Sequence, residues 1–226
     1  MRPIVRGRKP SGLVMKHWQD AAEPLRARIG SYCSYCEKPL SDITDVEHVQ
    51  PKKYYPNRKL EWENFLLACS SCNRIKGAKP QDALSNYVLP DSENPLLYLQ
   101  YHPLQLPTAH RPSDPAGEQR MARTIELVGL ARDKTTQPRA TGKDRRWIQR
   151  QDVWKTALKA RDIYDRNPSK MADPDYEFIL KKLIVASAFF SVWLSVFQGV
   201  PSVVSLILDS FPGTDRSRFN AQGDSV

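Results

Sequence analysis

Two Cys-x-x-Cys pairs constrain this chain more than any other feature. Cys33 and Cys36 are separated by 32 intervening residues from Cys69 and Cys72, and the 226 residues hold no fifth cysteine. A Cys-x-x-Cys turn aims two thiolates at one tetrahedral ion, and two such turns close its shell. Four sulfurs leave no open position, so the expected ion is a structural zinc. Iron suits the same ligands, but nothing else in the sequence suggests redox chemistry. Four ordinary thiols are the plain alternative, and two close pairs with no other cysteine argue against it. Disulfides belong to oxidising compartments. The basic N-terminus is not followed by an apolar run, so no signal peptide is read and a cytoplasmic location is expected.

Between the pairs, Ile43, Val46 and Val49 surround Glu47 and His48 in a β-prone piece that Gln50-Pro51-Lys52 ends. A polar, aromatic loop follows, from Lys53 to Arg58. Trp62 to Ala68 then leads into the second pair, and Asn73 to Lys76 continues it as a short helix. The expectation is two strands and a helix tied at the base by zinc. Glu47-His48 with Pro51, Asn64 in W-E-N-F-L-L-A-C, and Cys72-Asn73-Arg74-x-Lys76-Gly77 together resemble the zinc-containing branch of the HNH endonucleases, which have a ββα-metal fold.

That resemblance implies roles. His48 is the general base that takes a proton from water, suited by an imidazole that titrates near neutrality. Glu47 and the amide oxygen of Asn73 are the ligands of a catalytic Mg²⁺ or Mn²⁺, hard ions that take oxygen donors. Asn64 braces the loop carrying His48. Lys76 and Arg74, with Lys52 and Lys53, are offered as contacts to nucleic-acid phosphate. Many relatives carry His where this chain has Asn73; the Asn form also occurs.

A narrower resemblance reaches past this core. M-R-P-I-V-R-G at the start, the helix before C-S-Y-C-E, Asn86 to Asp91, and Arg123 to Leu130 are similar to the PtuB-type HNH proteins of Septu and retron-associated anti-phage systems. The likeness covers roughly residues 1–165. It implies a partner, a PtuA-like ATPase of ABC/SMC type. This chain itself has no G-x-x-x-x-G-K-[ST] nucleotide motif.

The net charge of +9 is uneven: +5 over residues 1–30, −2 over 31–119, +8 over 120–170 and −2 over 171–226. Positive flanks suit a polyanion such as nucleic acid; a solvated basic face is the bland alternative. Residues 1–30 read as a basic arm or frayed end (1–12) and a helix carrying Trp18, Ala22, Leu25 and Ile29. Residues 31–90 are the HNH core and 91–116 a Pro-rich connector. Residues 117–212 are a helical partner-binding or oligomerisation region, and 213–226 a disordered tail. Within the helical region, the spacing predicts a stripe of Trp147, Trp154, Leu158 and Tyr164, with arginines spread around the rest. Asp173-Pro174 predicts a helix start. The apolar run from Leu183 to Phe197 is too short to span a membrane. It reads as one buried helix or a subunit interface, as in a homodimer, with Ser187, Ser191 and Ser195 along one face.

The fold class expected is α+β, a zinc-stapled ββα-metal core with a mainly α-helical C-terminal region. The function expected is metal-dependent phosphodiester hydrolysis in DNA, with RNA such as tRNA as a second substrate class. The rival readings are a stand-alone restriction or mobile-element HNH nuclease, and a non-catalytic zinc-ribbon module that binds nucleic acid.

Overall fold

The segment after the first cysteine pair hydrogen-bonds to the segment before the second. Strand β1 (Asp45–His48) runs antiparallel to β2 (Phe65–Ala68), with Glu47 opposite Leu66 and His48 opposite Phe65. Helix α2 (Ser70–Lys76) follows at once, capped by Cys69, whose sulfur accepts the Cys72 N–H. Gly77 ends it at φ 56°, a conformation that favours glycine. This is the expected strand–strand–helix order, and the fold is α+β with four cysteines clustered at its base. The computed structural model describes residues 1–40, 45–78, 83–133 and 144–226.

Ahead of the hairpin, a 3-10 turn (Trp18–Ala21) runs into α1 (Ala22–Ile29), which buries Leu25 and Ile29. The Asp20 carboxylate starts that turn by accepting the N–H groups of Lys16 and His17, each at 2.8 Å. In the Pro-rich stretch, β3 (Leu99–Gln100) and β4 (Thr108–Ala109) pair as a two-residue ladder. Helix α3 (Pro115–Val128) has Asp114 as N-cap, Pro115 in its first turn and left-handed Gly129 after its end. Then come α4 (Arg146–Arg166), α5 (Pro174–Ser187), α6 (Phe190–Phe197) and α7 (Pro201–Ser210). Asp173 caps α5 with Pro174 at its start, where the sequence puts them.

The structure corrects the sequence reading in four places. The N-terminus is neither an arm nor frayed at its start, because Met1 to Ile4 are buried. Ile4 donates to Pro90 O at 2.7 Å and bridges Thr214, while Arg2 donates to Ile29 O, Phe211 O and Pro212 O. Residues 213–226 are not a disordered tail. They pair with the N-terminus, form a 3-10 turn at Arg216–Arg218, and are held by Asn94, which donates to Arg218 O and Val226 O.

The run from Leu183 to Phe197 is not one helix. Ala188 and Phe189 take φ 58° and 52° between α5 and α6, a region non-glycine residues occupy only at a cost. The break is held by the Phe189 N–H, which donates to Glu37 O at 3.1 Å. It separates Ser187 from Ser191, so the serines do not line one helix face. Finally, the buried face of α4 is Arg146, Arg150, Val153, Trp154, Ala157 and Ala160, while Leu158 is exposed. Two arginines therefore occupy positions the pattern would give to apolar residues.

Glu37 shows why the break is tolerated. It follows the first cysteine turn, and its carboxylate accepts the Ser191 N–H at 3.0 Å and hydroxyl at 2.5 Å. The Met1 ammonium lies 3.0 Å from the same carboxylate and donates to Tyr101 Oη and Ser191 Oγ. Burial would push the Glu37 carboxyl up; the Met1 ammonium and Ser191 outweigh it and hold it below the usual range. Glu37→Ala leaves a buried ammonium without its carboxylate. The expected loss is about 3–5 kcal/mol of stability, read from chemical denaturation; a loss within error of zero contradicts this account.

Candidate active site and metal centre

The four cysteine sulfurs lie within 4.8 Å of one another and all four residues are buried. Cys36 Sγ and Cys69 Sγ are 3.7 Å apart; a zinc tetrahedron with bonds of about 2.3 Å has edges of about 3.8 Å. The donor set and its geometry fit a tetrahedral ion held by Cys33, Cys36, Cys69 and Cys72. Hydrogen bonds from the other three thiols draw the Cys69 thiol far below its usual value, while burial pushes Cys36 and Cys72 well up. A coordinated metal overrides that order by deprotonating its thiols outright. Among the described residues, this is the one cluster of three or more His, Cys, Asp or Glu with metal-ligand spacing.

The end of β1 carries Glu47 and His48. Strand neighbours point to opposite faces, and the two side chains meet different partners. Glu47, 2 % exposed, has Oε1 2.6 Å from Lys76 Nζ. The same ammonium donates to His48 O at 2.7 Å. The expectation made Lys76 a phosphate contact; the structure turns it inward, where it pins the carboxylate and the strand end together. Asn73 lies one turn before Lys76 on α2 and is half-buried. Glu47 on β1 and Asn73 on α2 lie on elements that touch, and each carries a side-chain oxygen.

His48 is enclosed by rings. Phe65 and Trp18 meet it edge-on with centroids 5.1 and 5.7 Å away. Its Nε2 is 3.0 Å from Lys59 O. A carbonyl only accepts, so Nε2 carries the proton and Nδ1 is the basic nitrogen. Burial pushes the imidazole below its ordinary value, and the charges of Lys52, Lys76 and Lys59 add to that; the Lys59 carbonyl acts against them. The loop after His48 is tied across its width by Asn64. Its Oδ1 accepts the Gln50 N–H at 2.7 Å, and its Nδ2 donates to Gln50 O and Arg58 O at 3.0 and 3.1 Å.

Lys52, Lys53 and Arg74 are exposed. Lys52 Nζ stands 3.3 Å from the Trp18 ring centre and Lys59 Nζ 5.3 Å from it, while Lys53 Nζ lies over Tyr54. Sequence reasoning gave no site role to Trp18 or Lys59. Trp18 read as one position of a helical stripe, and Lys59 acts on His48 through its backbone, which no side-chain pattern reports. Arg146 also escaped notice: its Nη1 is 3.0 Å from Cys72 Sγ.

This arrangement belongs to a known class. A family model described as HNH endonuclease matches residues 33–79, and that stretch is an HNH endonuclease domain. Over 48 residues the chain is 46 % identical to Septu protein PtuB of Bacillus thuringiensis, a match covering 20 % of this chain and 19 % of PtuB. The chain therefore aligns with about a fifth of that relative's length. No solved structure matches.

Two measurements check this geometry. Lys76→Met strands the buried Glu47 carboxylate and is expected to cost about 3–5 kcal/mol, whereas Lys76→Met with Glu47→Gln costs less than Lys76→Met alone. Equal losses would mean the pair does not interact. With zinc bound and no Mg²⁺ or Mn²⁺ present, burial disfavours the imidazolium, so His48 is expected to titrate below about 6.5 when its ring is followed by NMR. A midpoint at or above that value contradicts the enclosure described.

Proposed function

We propose that this chain is a nuclease that hydrolyses phosphodiester bonds in nucleic acid, DNA first, and works in anti-phage defence beside a PtuA-like ATPase. The carrying observation is the His48 ring. It lies within an HNH domain, next to buried Glu47, with Nε2 committed to the Lys59 carbonyl and Nδ1 left as the base. A divalent ion bound by Glu47 and Asn73 would supply Lewis acidity to the phosphate and its leaving oxygen.

The protein's own groups divide the remaining work. His48 Nδ1 accepts the proton of the attacking water, and the Lys59 carbonyl steadies the imidazolium that results. Lys76 fixes the Glu47 carboxylate, and Asn64 fixes the loop from Gln50 to Arg58. Lys52 and Lys59, gathered at Trp18, lie where they can draw in phosphate. The four-cysteine centre has no open position and serves as scaffold. The helical half offers an apolar groove of about 460 Å³ between α4 and α5, with Ile163, Ile179 and Leu183 exposed along it. Such a face suits a protein partner. No described helix is long and apolar enough to cross a membrane.

The test is incubation of the chain, with and without the ATPase, with plasmid, phage DNA and total RNA in Mg²⁺ or Mn²⁺. Cleavage is expected for the native chain, abolished by His48→Ala with fold and zinc content retained. Cleavage of RNA alone would reassign the substrate. A native function untouched by His48→Ala would leave a zinc-ribbon binding module.

A further inference from the structure

A buried cation sits against one of the four sulfurs. Arg146, in the first turn of α4, is 4 % exposed, and its Nη1 lies 3.0 Å from Cys72 Sγ. Its remaining N–H groups donate to Val128 O, Gly129 O and the Asp144 carboxylate, at 2.7 to 3.0 Å. One turn later Arg150 is 1 % exposed, and among the described residues none of its three nitrogens has a hydrogen-bond acceptor. Its guanidinium lies over the rings of Tyr101 and Phe189, at 5.4 and 5.9 Å.

A buried guanidinium is costly unless negative potential offsets it. Asp144 offsets one of these two. A divalent ion held by four thiolates carries two net negative charges, since the ion cancels only two of four. The sulfur centre is thus an anion, although no carboxylate marks it. An N–H···S bond from a cation spreads that charge, as groups behind first ligands commonly do at metal sites. We propose that Arg146 is a positioning residue of the metal centre. Its contact with Cys72 supplies counter-charge to a four-thiolate divalent ion, so metal occupancy and the seating of α4 on the HNH domain are one coupled equilibrium. This rests on the four-cysteine metal reading and is independent of nuclease activity.

The experiment uses the full chain with zinc or cobalt(II). Arg146→Gln is expected to weaken zinc binding about 10- to 100-fold in competition with a chromogenic chelator, and Arg146→Lys to recover most of that loss. The sulfur-to-cobalt charge-transfer band of Arg146→Gln should move to longer wavelength, because a thiolate that loses a donor holds its electrons less tightly. Zinc affinity unchanged in Arg146→Gln, with melting lowered equally in the presence and absence of metal, overturns the proposal and leaves Arg146 a tie between Val128, Gly129 and Asp144.

Should Arg146→Gln fail to fold, hydrogen exchange on the native sequence decides. Stripping zinc should expose the amides of residues 146–150 together with those of α2. Opening of α2 while 146–150 stay protected overturns the coupling. A fully reduced chain that takes up no divalent ion overturns the metal reading itself, which metal analysis reports separately.

Discussion

Four sulfur atoms decide where this hairpin can exist. Strands of four residues are too short to hold together alone, since a two-stranded hairpin is marginal in water even when longer. Here the chain entering β1 and the chain leaving β2 are both anchored at the sulfur cluster, within 4.8 Å. The helix that begins at Cys69 is thereby laid across the strands. Closing the intervening 32-residue loop costs entropy that grows only slowly with length. A long, irregular and polar insertion can therefore be carried between the two turns, and that insertion holds Asn64, the Lys59 carbonyl and the lysines around His48.

Around the cluster the core is charged to an unusual degree. The Met1 ammonium meets Glu37, Lys76 meets Glu47, Arg146 meets Asp144, and Arg2 is spent on carbonyls. Buried ion pairs add little net stability over apolar packing, but each is costly to break and indifferent to no rearrangement. Their placement matters more than their sum. Glu37 joins the first cysteine turn to α6 and the N-terminus, Lys76 joins α2 to β1, and Arg146 joins α4 to Cys72. The Glu37 and Arg146 contacts lie on seams between residues 33–79 and the elements around them, while Lys76 ties two elements within that stretch.

How much of this was legible in the sequence follows from what a side chain can report. The cysteine spacing, the strand–strand–helix order, and the start of α5 at Asp173-Pro174 were readable, because short-range chemistry sets them; the start of α3 at Asp114-Pro115 was instead read as the end of the Pro-rich connector. The N-terminus was not. Its Arg2 reads as a solvent-loving charge, and only the tertiary fold supplies the carbonyls of Ile29, Phe211 and Pro212 to bury it. The break after α5 was hidden for a similar reason: Ala188 and Phe189 favour helix, and a backbone bond to Glu37, some 150 residues distant, outweighs them. On α4 the positions 146, 150, 153, 157 and 160 have a helical period, but a pattern search that counts arginine as polar turns the helix to the wrong face. The segments 41–44, 79–82 and 134–143, which include Ile43 of the β-prone piece, lie outside the described residues.

The surroundings of His48 pose a balance that a nuclease must solve. A base has to be unprotonated at rest, which burial and three nearby ammonium groups favour. The same forces weaken it, since a lower proton affinity means a poorer base. On the function proposed here, the substrate itself restores the strength. A phosphate drawn to Lys52 and Lys59 cancels the charges that hold the imidazolium off, so proton affinity rises when the anion arrives. The Lys59 carbonyl works in the same direction, because its bond to Nε2 tightens once the ring becomes positive. Lys59 thus acts through two parts of one residue: its side chain selects for an anion, and its backbone rewards protonation of the ring beside it. The lysine charges that keep the base idle are the ones a bound phosphate neutralises.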